Sequence, residues 1–174
     1  EVERDIKLAD ETGCPFHACH ISSKESVELI RDAKKSGVDV SCETAPHYLI
    51  MNDMNLKEDG WYKMNPPIRA REDQEALIEG ILDGSVDMIA TDHAPHTEDE
   101  KNRGLKDSNF GIVGLETAFP LLYTKLVLEG VLSLEYLLKL MTTAPRGRFG
   151  IKRAASDFTI FNLENEYEIR SEEF

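Results

Sequence analysis

The chain has 174 residues, 41% of them hydrophobic and 30% charged, with a formal net charge of −13. That length permits one cored domain or part of a larger one. The charge speaks against a nucleic-acid partner, which needs clustered Lys and Arg, and no apolar run approaches the roughly 20 residues of a bilayer-spanning helix.

Cys14, Cys19 and Cys42 are odd in number and lack CxxC spacing. Neither a disulfide framework nor a structural zinc knuckle is indicated, and a reducing, cytoplasmic setting is expected. The opening EVERDIKLADETG reads as the middle of an amphipathic helix with Val2, Ile6 and Ala9 on one side, so sequence is expected upstream; Gly13 closes the helix. Residues 16–21, FHACHI, are short and apolar enough for a buried strand. Ser22 or Ser23 can cap the following helix, 24–36, which buries Val27, Ile30 and Ala33 and stops at Gly37.

A second strand is expected over 38–43, followed by Thr44-Ala45-Pro46-His47. A short helix near 52–58 and an extended piece over 61–65 come next, the latter halted by Pro66-Pro67, which cannot continue a central strand. Residues 71–83 read as a helix with Ala76, Leu77, Ile78 and Ile81 inward, ended by Gly84. Val86, Met88, Ile89 and Ala90 then form a buried strand that runs out on Asp92 and a His93-Ala94-Pro95-His96 turn.

The 97–109 segment has seven charged residues and no periodicity, which suits either a mobile active-site loop or a solvated surface excursion. Two helices are expected at 114–128 and 133–143, the second capped by Ser133 and stopped by Pro145, with a turn over 146–150. Residues 157–163 alternate polar and apolar, unlike the earlier strands. This change of character places a boundary after Gly150, giving a βα-patterned unit over 1–150 and a separate segment over 151–174.

Three strand ends carry chemistry. Counting by twos, Phe16, Ala18 and His20 share one face of the first strand and His17 and Cys19 the other, so His17 and His20 cannot both point into one mouth unless the strand bulges. Taken alone, a strand-end His such as His20 is more often structural than metal-ligating, and His17 reads as a packing or hydrogen-bonding residue. Asp92 can ligate a metal, act as a base or cap its turn. His96 is close enough in sequence to return over the same rim, and Asn65 sits where the prolines hold the backbone. Arg69, Arg146 and Arg148 read as surface or helix-terminus cations. No GxGxxG, P-loop, GxSxG or HExxH is present.

HACHISS, CETAPHYL, KMNPPIR and ATDHAPH, in this order, with GIVGLETAFPLLY and SDFTIFNLE after them, resemble the C-terminal half of bacterial dihydroorotases of the amidohydrolase superfamily. The resemblance covers nearly the whole chain. It implies an α/β fold, the last three strands of a (β/α)8 TIM-type metal-dependent hydrolase barrel, with 151–174 an incomplete strand segment of a small β-sandwich.

It also implies zinc-dependent, reversible hydrolysis of dihydroorotate to N-carbamoyl-aspartate in pyrimidine biosynthesis, with two zinc ions per complete site. His20 and Asp92 would be metal ligands, Asp92 also the catalytic base, and Asn65 and His96 substrate contacts; His47 lies in a family motif without an assignable role. The implied partners are small molecules, with no nucleic acid and no membrane, and a homodimer is compatible with the reading. Allantoinase- or hydantoinase-type hydrolysis is the alternative, and a catalytically dead scaffold domain a further one. The family's first-strand HxH pair, bridging carboxylate or carboxylated lysine, and fifth-strand His are absent from this chain, and the family has a few more residues near Arg153-Ala154. The isolated chain is therefore expected to be inactive.

Overall fold

The computed structural model describes residues 1–154 and 156–170. Helix α1 (Val2–Thr12) leads through Gly13, in the left-handed region at φ 67°, into β1 (Phe16–Ala18). Ser23 caps α2 (Lys24–Lys35) by accepting the Ser26 N–H. Val27 and Ile30 of α2 are fully buried, each worth about 1.5–3 kcal/mol of apolar burial.

Strand β2 (Val40–Thr44), helix α3 (Pro46–Ile50), helix α4 (Arg71–Asp83) and strand β3 (Met88–Ile89) follow. The three strands form one parallel sheet in the order β1-β2-β3. Parallel neighbours joined in sequence order by crossover helices are consecutive βα units, the expected last third of a (β/α)8 barrel. Both faces of β2 are buried apart from half-buried Glu43, as a strand inside a parallel sheet requires.

The N-terminal ends of the strands are fastened by charges. Lys34 donates to the carbonyls of Gly84 and Ser85 and to Asp87, and Asp87 in turn accepts the Cys42 N–H at 2.8 Å. Arg148 pairs with Asp39 and donates to the Phe16 carbonyl at 3.0 Å, clasping the last helix to the start of β1. It is therefore a structural tie and not merely a helix-end charge.

Several expected elements differ. The helix expected near 52–58 is a single 3₁₀ turn, Asp53–Asn55, and the extended piece expected over 61–65 begins inside a second, Gly60–Tyr62; each is opened by an Asx side chain, Asn52 and Asp59, that captures a backbone N–H and so competes with regular structure. The helix expected at 114–128 is α7 (Ala118–Leu122) running into a π-helical turn, Tyr123–Val127.

The next, α8 (Leu134–Leu138), also widens into a π turn, Lys139–Thr143. Pro145 does not stop the chain there: it occupies the first turn of α9 (Ala144–Phe149), where its missing N–H and fixed φ are tolerated, and the wide turn before it relieves crowding on the preceding carbonyls. The alternating 157–163 segment forms no ladder; Phe158 and Ile160 are exposed, and Phe161 stacks on Phe119 at 3.9 Å. A strand needs a partner backbone, and none runs beside it among the described residues.

Candidate active site

The candidate site lies at the rim where β1, β2 and β3 end. Register pairs His17 with Ser41 and Met88 with Glu43, so His17, Ser41, Glu43 and Met88 share one face of the sheet; counting on by twos from Met88 brings Asp92 to that face too. By the same count His20 belongs on the opposite face, with Ala18 and Cys42. The backbone breaks this alternation. His20 (φ 39°) and Asp92 (φ 49°) are the non-glycine residues with positive φ among the described residues.

A left-handed conformation in a side-chain-bearing residue costs on the order of 1–3 kcal/mol and persists where the surroundings enforce it. Here the strands are pinned on both sides of the kinks: Ile21 N–H donates to the Glu43 carbonyl, the Thr44 hydroxyl to the Ile21 carbonyl and Ala90 N–H to the Thr44 carbonyl. The chain thus leaves β1 through a single-residue kink at His20.

His20 is half-buried and its Nδ1 is sealed from solvent without a hydrogen-bond partner; Nε2 of His47 is in the same condition. His47, 3% exposed, lies edge-on to the Tyr48 ring at 4.1 Å. Burial, reinforced by the charge of His20, pushes the His47 pKa from 6.5 down to about 4. The folded value lies below the unfolded one, so the stability owed to the neutral ring is complete above pH about 6.5 and is lost as pH falls toward 4. A gap of about 2.5 units bounds it at about 3 kcal/mol. Urea unfolding of this chain at pH 7 and at pH 4.5 is expected to show that decline, and His47→Gln to remove a large part of it.

Tyr48, missed from sequence, joins two motifs by donating its hydroxyl to the Pro66 carbonyl at 2.5 Å, beside exposed Asn65. Burial, and after it the charge of Asp92, raise its phenol pKa, with Arg69 opposing. Arg69, read from sequence as a surface cation, is exposed. The only sequence signal for Tyr48 was an aromatic ring directly after a buried His.

His17 is the hydrogen-bonding residue expected: Nδ1 lies 2.7 Å from the Ser41 hydroxyl and Nε2 3.1 Å from Glu43 Oε2. With exposed Cys19 they form a group whose potential ligand atoms all lie within 4.8 Å of one another, a His/Cys/carboxylate set suited to a soft divalent cation. The Cys19 pKa is raised by burial and by the carboxylates of Glu43 and Asp92, so the thiol sits next to the rim. Cys42, by contrast, is buried with its thiol pushed up to about 12, chiefly by desolvation, and is chemically inert.

The segment after Asp92 is internally bonded. His93 Nδ1 accepts from the N–H groups of Gly114 and Leu115, both at 3.2 Å, and Ala94 N–H donates to the Ile112 carbonyl. At Gly111 a Cβ would lie 2.3 Å from the Ala94 carbonyl, so only glycine lets the two segments meet.

Two short helices, α5 (Glu98–Lys101) and α6 (Gly104–Asp107), replace the featureless loop expected over 97–109. Lys101, 1% exposed, donates to the carbonyls of Lys63, Asn109 and Gly111 at 2.9, 3.0 and 2.9 Å. His96 belongs to the same network, with Nε2 donating to the Phe110 carbonyl at 2.9 Å and Nδ1 3.4 Å from Glu100. The structure therefore brings Cys19 together with His17 and Glu43, within electrostatic reach of Asp92, while His96 faces its own loop.

Comparison with known proteins agrees with this architecture. Residues 1–156 match the model of the amidohydrolase family. Curated relatives include a dihydroorotase of Geobacillus sp. (strain WCH70), 53% identical over 99% of this chain and 42% of its own length. Another is a dihydroorotase of Ligilactobacillus salivarius (strain UCC118), 48% identical over 100% of this chain and 42% of its own length.

Among solved structures, the L-hydantoinase (dihydropyrimidinase) from Arthrobacter aurescens superposes with a TM-score of 0.80 at 37% identity, over 86% of this chain and 34% of that protein. The D-hydantoinase from Thermus sp. gives 0.79 at 24% identity, over 85% and 34%, a likeness of fold alone. The chain spans about two fifths of the length of the curated relatives it matches. With a family match across nine tenths of its residues and the parallel βα units that the match requires, the chain belongs to the amidohydrolase family.

Proposed function

We propose that this chain is the C-terminal part of the catalytic barrel of a dihydroorotase, which opens dihydroorotate to N-carbamoyl-aspartate and closes it again. The observation that carries the reading is that the two kinked residues, His20 and Asp92, are the two candidate metal ligands, each ending a parallel strand at the rim. The sealed, partnerless Nδ1 of His20 fits a ring whose other nitrogen is meant for a cation. Relatives named dihydroorotase at about half identity support this substrate class.

Zinc held here would supply Lewis acidity and a lowered pKa for water. Asp92 accepts the proton of the attacking water and returns it to the departing ring nitrogen, one carboxylate serving both steps. Asn65, exposed beside the Tyr48–Pro66 bond, offers an amide to the anionic substrate. His96 reaches a substrate carboxylate only by trading its Phe110 bond for that contact.

His20 and Asp92 are two ligands where a catalytic zinc generally takes three from the protein, so this chain alone is inactive and the complete barrel, with two zinc ions, is the enzyme. Its place on this reading is the cytoplasm, as a monomer or homodimer; among the described residues no helix is long and apolar enough to cross a membrane.

The L-hydantoinase neighbour favours a second reading, a hydantoinase-type cyclic amidohydrolase. The full-length protein, purified with zinc, should convert dihydroorotate and cyclise N-carbamoyl-aspartate with a kcat/KM at least a hundredfold above that for 5-substituted hydantoins. The reverse preference would establish the second reading, and no turnover of either would return the scaffold reading.

A further inference from the structure

The segment that carries GIVGLETAFPLLY lies along the Asp92 turn on both sides of its kink. Before Asp92, Gly114 passes so near the Thr91 carbonyl that a Cβ there would stand 3.3 Å from its oxygen. After Asp92, His93 bridges to Ile112 in parallel register, and Ala94 N–H donates to the Ile112 carbonyl at 2.9 Å. One side chain completes the seam. His93 Nδ1 accepts from two successive amides, Gly114 N–H and Leu115 N–H, each at 3.2 Å.

Two N–H groups converging on one ring nitrogen dictate its state. Nδ1 must present its lone pair, so the imidazole is neutral and carries its proton on Nε2. Successive backbone N–H groups aimed at one point also form a concavity that attracts anions. Asp92, the neighbouring carboxylate, holds a left-handed backbone at φ 49°, a conformation that its surroundings must enforce.

We propose that His93 is a positioning residue for Asp92. Its uncharged Nδ1 fills the amide concavity, which keeps the Asp92 carboxylate from capping those two N–H groups, and it ties residues 114 and 115 to the turn so that the kink is held from its C-terminal side. The Ala90 N–H bond to the Thr44 carbonyl holds it from the other. The inference rests on the reading of Asp92 as base and ligand and adds the residue that aims it. It also gives a use to the first histidine of ATDHAPH, which neither the substrate contacts nor the proton transfer needs.

The test uses the full-length protein, purified with zinc, in wild-type, His93→Asn, His93→Leu and Asp92→Asn forms. Asn sets an acceptor oxygen, and Leu a methyl group on a side chain of similar shape, where Nδ1 stands. Steady-state hydrolysis of dihydroorotate should show kcat about 30- to 100-fold lower in H93L with KM within about threefold, since a small misplacement of the base acts on the chemical step. In H93N both constants should stay within about threefold of wild type. Long-range proton–nitrogen NMR should show His93 protonated at Nε2 alone in the wild type.

A wild-type kcat in H93L, equal losses in both variants, a loss carried wholly by KM, or a His93 protonated at Nδ1 would overturn the inference while leaving Asp92 the base. A kcat within tenfold of wild type in D92N would instead remove the reading of Asp92, and this inference with it. Should H93L fail to fold, the wild-type tautomer and the H93N kinetics still decide.

Discussion

Asp92→Asn in the full-length protein is expected to lower kcat for dihydroorotate by about a thousandfold or more, with the fold intact. The amide can neither take a proton from water nor return one, and general acid–base catalysis alone contributes about 10²–10⁴. Asn is the informative replacement because it tolerates the left-handed backbone at φ 49° nearly as well as Asp, so the kink survives and the loss reports the carboxylate, as base and ligand, rather than backbone strain. Circular dichroism and thermal melting should match wild type, and a kcat within tenfold of wild type would remove Asp92 from the proton-transfer role. Asp92→Ala would confuse the two effects, since it adds backbone strain at the same position.

Lys101→Met is expected to produce the largest stability loss among single changes near the rim, roughly 3 kcal/mol or more. Methionine preserves the buried stem but removes all three ammonium donors, stranding carbonyls of Asn109 and Gly111 and halving the bonds to that of Lys63. The damage should spread, because Lys101 joins the start of the KMNPPIR segment to the far end of the 97–111 segment. A lower urea midpoint, together with new cleavage between residues 97 and 111 in limited proteolysis, is the expected result; wild-type resistance in a folded variant would mean that the helical turns hold themselves.

The βα core was legible because its signals are local and redundant. Val27, Ile30 and Ala33 repeat at helical spacing, glycines punctuate the ends of α1 and α4, and the apolar run before Asp92 could only be buried. For the site, the sequence offers candidate residues but not their arrangement. Strict alternation cannot foresee the backbone kink at His20, which long-range hydrogen bonds flank; no residue in HACHISS announces it.

Lys101 was invisible for a similar reason. It reads as one more charge in an acidic loop, and its partners are main-chain carbonyls that carry no sequence signal. Pro145 misled because a proline stops a helix or starts one depending on the turn before it. The alternating pattern at 157–163 describes side chains ready for a sheet, but pairing depends on a second backbone.

The ammonium of Lys101 grips peptide groups and no side chains. A tether of that kind is indifferent to what residues 63 and 109 carry beyond their Cα atoms, provided residue 111 stays glycine. The segment flanking Asp92 can therefore exchange its surface chemistry while keeping its shape, and a barrel wall so anchored is free to evolve new preferences for cyclic substrates without being refolded for each.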